Sequence, residues 1–260
     1  LLDGDRILAA TAGGGAAVYD PQKNIWSPMA ASGSVASEHF HAFIRLADGR
    51  FLLGSVGDGL FIGKNAEWQQ ITEGDGLTND WVNDALEIPE GILAATSQGI
   101  SLIRDGRVVD AFLPTSGWAD GNINVLCRFG DRVFLGMASS GLTAMTVQSV
   151  ATGSAKAIGR LRPTFQQVPE MPAQIHALLE LGGKLYVGSE VGLYVVGTDL
   201  KQNSVPGIWP QNSAIKALGL YKSELVVGTA AGEVYIGTPD GEWRRVFAYA
   251  QFTPSGGPHK

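Results

Sequence analysis

A five-residue pattern occurs six times in this chain and constrains its fold more than any other feature. It reads ILAAT from Ile7, FLLGS from Phe51, ILAAT from Ile92, VFLGM from Val133, LYVGS from Leu185 and LVVGT from Leu225. Successive starts lie 44, 41, 41, 52 and 40 residues apart. The fourth place is always small: Ala10, Gly54, Ala95, Gly136, Gly188 and Gly228. Seven or eight residues after each start comes a glycine (Gly15, Gly59, Gly99, Gly141, Gly192, Gly232), followed by a second apolar run such as LFI from Leu60 or LYVV from Leu193. A buried strand, a tight glycine turn and a returning strand make a β-hairpin. The small fourth residue suits a place where neighbouring sheets approach closely.

Before each hairpin except the first lies another apolar run: FHAFIRL from Phe40, VNDALEI from Val82, INVLCRF from Ile123, IHALLEL from Ile175 and IKALGLY from Ile215. A weaker outer run follows several hairpins and carries Trp26, Trp68 or Trp243. Four strands in roughly forty residues make one blade of a propeller. The sequence therefore predicts an all-β fold: a single six-bladed β-propeller over residues 1–260, with repeats starting near 1, 40, 82, 123, 175 and 215. The 35 glycines agree with many tight turns. No 3.6-residue period runs through the copies, which argues against a helical solenoid. Copy one reads as lacking its first strand, and VFAYAQF at 246–252 reads as a spare. The expectation is that this tail pairs with the first blade and closes the ring, hiding two sheet edges. The long fourth spacing marks an insertion at 146–173, with Lys156, Arg160 and Arg162 close together, read as a surface loop or a docking site.

Charge and composition exclude several classes. The net charge of −6 comes with no Lys/Arg run, so no nucleic-acid partner is expected. No stretch of 18 apolar residues occurs, so no membrane-spanning helix is expected. Cys127 is the only cysteine; it forms no internal disulfide and reads as a small buried hydrophobe. The opening Leu1-Leu2-Asp3-Gly4-Asp5-Arg6 reads as the turn before a strand and not as a signal peptide, as in a mature, trimmed or excised chain.

Residues Gly76-Leu77-Thr78-Asn79-Asp80-Trp81-Val82-Asn83, then Glu90-Gly91-Ile92-Leu93-Ala94-Ala95-Thr96, then Gly99-Ile100, resemble the two-component-regulator propeller repeat. That repeat runs Gly-Leu-Pro-Ser-Asn, an inner strand, a turn, a Trp-Ile-Gly-Thr strand and Gly-Leu. Copies five and six are similar in their second halves. The Pro is absent, and Leu, Tyr, Val or Phe replaces the strand Trp. The resemblance implies a sensor or ligand-recognition domain in a periplasmic or extracellular setting.

One aligned column points to a site. The second residue of each inner run is His41, Asn83, Asn124, His176 or Lys216, polar between apolar neighbours, with Phe247 in sixth place if the tail aligns. Inner strands surround the central channel, so these side chains are expected to ring its mouth. They would bind a small ligand or the tip of a protein partner, Lys216 favouring an anionic group, or else satisfy channel water. Trp81, Trp118 and Trp209 precede three inner strands and are candidates for an aromatic rim for a partner, or for packing between blades. His39 and His41 alternate on one strand and invite a metal test, but Glu38 points the other way and no metal is assigned. Gluconolactonase-type propellers hold a cation with Glu, Asn and Asp at the mouth. Asn83 and Asn124, with Asp80, Asp84 and Asp120 nearby, keep that alternative open. No Gly-x-Ser-x-Gly elbow occurs, and Gly13-Gly14-Gly15 leads into a strand, not a phosphate-cradling helix. The sequence thus predicts no catalytic residues, no cofactor and a non-enzymatic recognition propeller within a larger assembly. A cation-dependent hydrolase or lyase at the same mouth and a structural scaffold subunit are the alternatives.

Overall fold

The computed structural model describes residues 2–3, 5–29, 37–65, 67–147, 161–210 and 213–249. Each repeat folds into its own four-stranded antiparallel sheet, and the six sheets are the blades of a propeller. Strands succeed one another in chain order from the channel outwards. The third blade, for example, runs Val82–Ile88, Gly91–Thr96, Gly99–Arg104 and Arg107–Phe112. Inner strands of successive blades, from Phe40–Arg45 to Ile215–Tyr221, pack side by side around the channel.

The recurring pentapeptide is the second strand of each blade, and its small fourth residue faces the next blade. A Cβ on Gly54 would lie 2.9 Å from Val82, and one on Gly136 2.7 Å from Ile175. On Gly188 it would lie 2.9 Å from Ile215. In each case the first residue of the neighbouring inner strand is among the obstacles, joined by Ala42 or Val125 of the same blade at Gly54 and Gly136, so glycine lets the blades close to packing distance. The fifth residue of the pattern also has a structural part. The hydroxyls of Thr11, Ser55, Thr96 and Ser189 donate to the carbonyls of Gly15, Gly59, Gly99 and Gly192 at 2.9, 2.8, 3.0 and 2.9 Å. Each clamps its own hairpin turn and satisfies a hydroxyl that is buried in the last three cases.

Five hydrophobic clusters fill the five successive junctions from blade one to blade six. No such cluster of described residues spans the junction of blades six and one. On the outer strands of these two blades Trp26 is 55% and Phe247 45% exposed.

The expected ring closure by the tail is not seen among the described residues. Trp243–Ala248 is one strand, with a bulge at Val246, on the outer edge of blade six. No turn separates Trp243 from Val246, so the two stretches cannot serve different blades. Phe247 pairs with Val234 and is not in the inner-strand column. The first blade has a short inner strand of its own, Leu2–Asp3, paired with Arg6 and Ile7. Residues 250–252 of the proposed closing strand lie outside the described residues, as do 148–160 of the insertion with Lys156 and Arg160. The insertion lengthens the connection to the outer strand Thr164–Gln167 of blade four.

Candidate functional site

The five-residue polar column corresponds to a repeated backbone irregularity. In blade two the register passes from Phe40↔Ser55 to Ala42↔Gly54, leaving His41 unpaired. The same step skips Asn83, Asn124, His176 and Lys216. Each is the extra residue of a β-bulge, which re-aims a side chain and interrupts the alternation of faces. The preceding residues Val82, Ile123, Ile175 and Ile215 are fully buried, while the bulged residues are half-buried or exposed.

The five side chains separate into two groups. His41, Asn83 and Asn124 line a cavity of about 370 Å³ together with Trp81, Ser97 and Asn122. His176 and Lys216 pair across blades five and six, Nζ to Nε2 at 3.0 Å. The asparagines also join blades. Asn83 Nδ2 donates to Ile123 O at 2.9 Å and Asn122 Oδ1 at 3.0 Å, and Asn124 Nδ2 donates to Ile175 O at 2.9 Å. Their side-chain oxygens accept no hydrogen bond among the described residues and are open to an incoming donor. His41 makes only an edge contact with the Trp81 ring, centroids 6.0 Å apart.

The Gly76–Trp81 motif positions the aromatic wall of this cavity. Thr72 and Asp75 form a capping box around the 3-10 turn Glu73–Asp75, and Gly76 ends it at φ 103°. Asp80 Oδ1 accepts from Glu73 N at 2.7 Å, and Asn79 Oδ1 accepts from Trp81 N at 2.9 Å and Ser97 Oγ at 2.7 Å. Trp81 is thereby held at the rim, 44% exposed. In blade four Asp120 takes the place of Asn79, accepting from Asn122 N at 3.0 Å and Ser139 Oγ at 2.6 Å.

Of the other two candidate tryptophans, one is buried in the core and one is partly buried against it. Trp118 is 6% exposed, in the cluster between blades three and four, with its ring 4.4 Å from that of Phe165. It aligns with Leu77, the buried residue after the turn glycine, and not with Trp81. Trp209 packs edge-on against Trp243 and Tyr235. Sequence reasoning missed Ser97 and Asn122, although Asn122 aligns with Trp81 one residue before the inner strand.

Asp80 and Asp120 face backbone amides and a hydroxyl, and no three His, Cys, Asp or Glu side chains among the described residues gather to hold a metal. Asp84 follows Asn83 on the inner strand and is partly buried. Its oxygens accept from Ala85 N and, across the blade junction, from Leu126 N, both at 2.8 Å. Burial pushes its carboxyl up to about 7, against the pull of those two amides. Burial likewise pushes the Cys127 thiol up to about 11, keeping it protonated and unreactive. His176 is held below its ordinary value by burial first and by Lys216 second, with Glu190 opposing.

No protein-family model and no curated protein matches the sequence. Solved structures match it in fold. The extracellular domain of a Bacteroides thetaiotaomicron (B. thetaiotaomicron) protein described as a one component system aligns over 96% of this chain with a TM-score of 0.68 and 14% identity. A second B. thetaiotaomicron extracellular domain, described as a hybrid two component system, aligns over 93% with a TM-score of 0.63 and 16% identity. The chain covers 34% and 32% of those two chains, about a third of their length. Virginiamycin B lyase from Staphylococcus aureus aligns over 80% of this chain and 69% of its own, with a TM-score of 0.61 and 8% identity. These likenesses are likenesses of fold.

Proposed function

We propose that this chain is a non-enzymatic recognition propeller that binds a small ligand, or the tip of a protein partner, at the mouth of its channel. The repeated bulge carries the reading: in five blades the same backbone step takes a polar residue out of the ladder directly after a buried one, and its side chain is read as turned into the channel. A cavity with an exposed indole, an imidazole, a hydroxyl and three carboxamides offers donors, acceptors and one apolar wall, which suits an uncharged hydrogen-bonding group. The fold shared with extracellular domains of signalling proteins supports a sensing role in an extracellular or periplasmic setting. Among the described residues no helix is long and apolar enough to cross a membrane.

Asn83 and Asn124 tie blades together, so the test falls on Trp81 and His41. A ligand found by thermal-shift screening is expected to lose at least tenfold in affinity with Trp81→Ala or His41→Ala, with the melting temperature of the unliganded protein unchanged. Undiminished binding in both variants would move the site away from the mouth. The name of the lyase neighbour raises an enzymatic reading at the same place. Turnover of ester or lactone substrates that disappears with chelator would establish it.

A further inference from the structure

We propose that Lys216 and His176 form an anion subsite on the blade-five and blade-six side of the mouth, and that it takes up a proton as it binds a carboxylate or phosphate group. The inference deepens the reading of the mouth as a binding site and adds a charged half to a cavity whose other half is neutral.

Both side chains occupy the bulge position of their inner strands, so both are aimed into the channel by the same backbone step. Their nitrogens lie 3.0 Å apart. An ammonium has no acceptor, so Lys216 Nζ donates and His176 Nε2 accepts. The imidazole is therefore neutral, with its one proton on Nδ1. Lys216 has no carboxylate partner among the described residues, which leaves two ammonium hydrogens facing the channel. The one acid acting on the imidazole is Glu190, in the turn after Lys184–Ser189, and its carboxylate already accepts from Gln174 N at 2.8 Å.

Unoccupied, the pair is a cation leaning on a neutral base, and protonating His176 would set two positive charges 3.0 Å apart. An oxyanion arriving between them accepts from Nζ and removes that repulsion. His176 then takes a proton from solvent onto Nε2 and donates it to the second anionic oxygen, giving two charge-assisted hydrogen bonds. One proton is taken up per anion bound, so affinity rises as pH falls through the titration of His176. A ligand that spans both halves of the mouth carries an uncharged hydrogen-bonding portion against Trp81 and the asparagines, and an anionic group on Lys216.

The test is an NMR titration of the His176 ring between pH 5 and 8 at constant ionic strength in chloride, with and without inorganic phosphate or succinate in separate series. The expected result is a rise of at least one pH unit in the His176 midpoint with one of the two, equivalent to about tenfold tighter binding to the protonated form. The effective anion identifies the group recognised. Lys216→Met should abolish the response, while Trp81→Ala should leave it intact, which separates failure of this subsite from failure of the neutral pocket. A midpoint that neither anion moves beyond chloride, or a response that survives Lys216→Met, overturns the proposal.

Discussion

Replacing Asp84 by Asn should make the protein relatively more stable as pH rises. The Asp84 carboxyl titrates near 7 in the folded chain because the channel wall desolvates it, and near 3.9 when unfolded. Between those values the folded state holds a proton that the unfolded state has released. Stability therefore falls with rising pH across this window and is level above it. The ideal slope is about 1.4 kcal/mol per pH unit and flattens as the folded carboxyl ionises near 7, so the loss from pH 5 to pH 8 is roughly 2.6 kcal/mol. The side chain keeps some exposure to solvent, and water screens the charge in part, which brings the expected loss to about 1–2 kcal/mol. Asparagine is uncharged at every pH, and its oxygen can keep the bond from Leu126 N. It forfeits the second acceptor, a cost of about 1 kcal/mol that is the same at all pH values and cancels in the comparison. Urea denaturation of both proteins at pH 5 and pH 8 gives the assay. The stability of Asp84→Asn relative to the parent should improve by about 1–2 kcal/mol between the two, or roughly 2–6 °C in melting temperature. Parallel pH profiles, or a variant that loses ground as pH rises, would refute the argument that a desolvated carboxylate links blades three and four.

Two further predictions concern the repeat itself. Gly136→Ala places a Cβ 2.6 Å from Val125 and 2.7 Å from Ile175, and should destabilise by about 1–3 kcal/mol through overpacking of the blade-four and blade-five junction. Gly228→Ala, whose nearest neighbour is Ala217 at 3.3 Å, should cost less than about 1 kcal/mol in the same denaturation series; equal effects would mean that the small fourth residue does not set blade spacing. Ser189→Ala removes the buried hydroxyl that donates to Gly192 O at 2.9 Å and accepts from Val191 N at 3.2 Å. A loss of about 1–2 kcal/mol is expected by thermal or urea melting, and an unchanged midpoint would deny the hydroxyl its part in closing the turn.

The fold was legible because the blades repeat one local solution: a strand interrupted by a small residue and a glycine at the turn, with a hydroxyl clamping that turn in four of the six. Ring closure was not legible. An outer strand and a spare strand have the same composition, and only the absence of a turn between Trp243 and Val246 tells one strand from two. The tryptophans divide between rim and packing for a related reason. Trp118 and Trp81 both precede an inner strand, but Trp118 falls one place after the turn glycine, where Leu77 is buried in blade three, and Trp81 falls five places after it. The polar column, by contrast, was visible because a bulge leaves a mark on the sequence. Val82 and Ala85 are three residues apart and would face opposite ways under strict alternation. Skipping Asn83 sets them opposite Thr96 and Ala94, on one face, and both are buried. A polar residue at that same place in five inner strands is what a repeated bulge writes into the chain, since any apolar side chain there would face channel water. The pattern does not reveal how the five residues divide. The division is set by the neighbour that each side chain meets across its blade junction. An asparagine can reach the carbonyl of the next inner strand and join blades while leaving its oxygen free, whereas Lys216 meets only His176. The same backbone step thus contributes His41, Asn83 and Asn124 to a neutral cavity and joins His176 to Lys216 in a separate pair, so the identity of the bulged residue, not its position, sets the chemistry of each blade there.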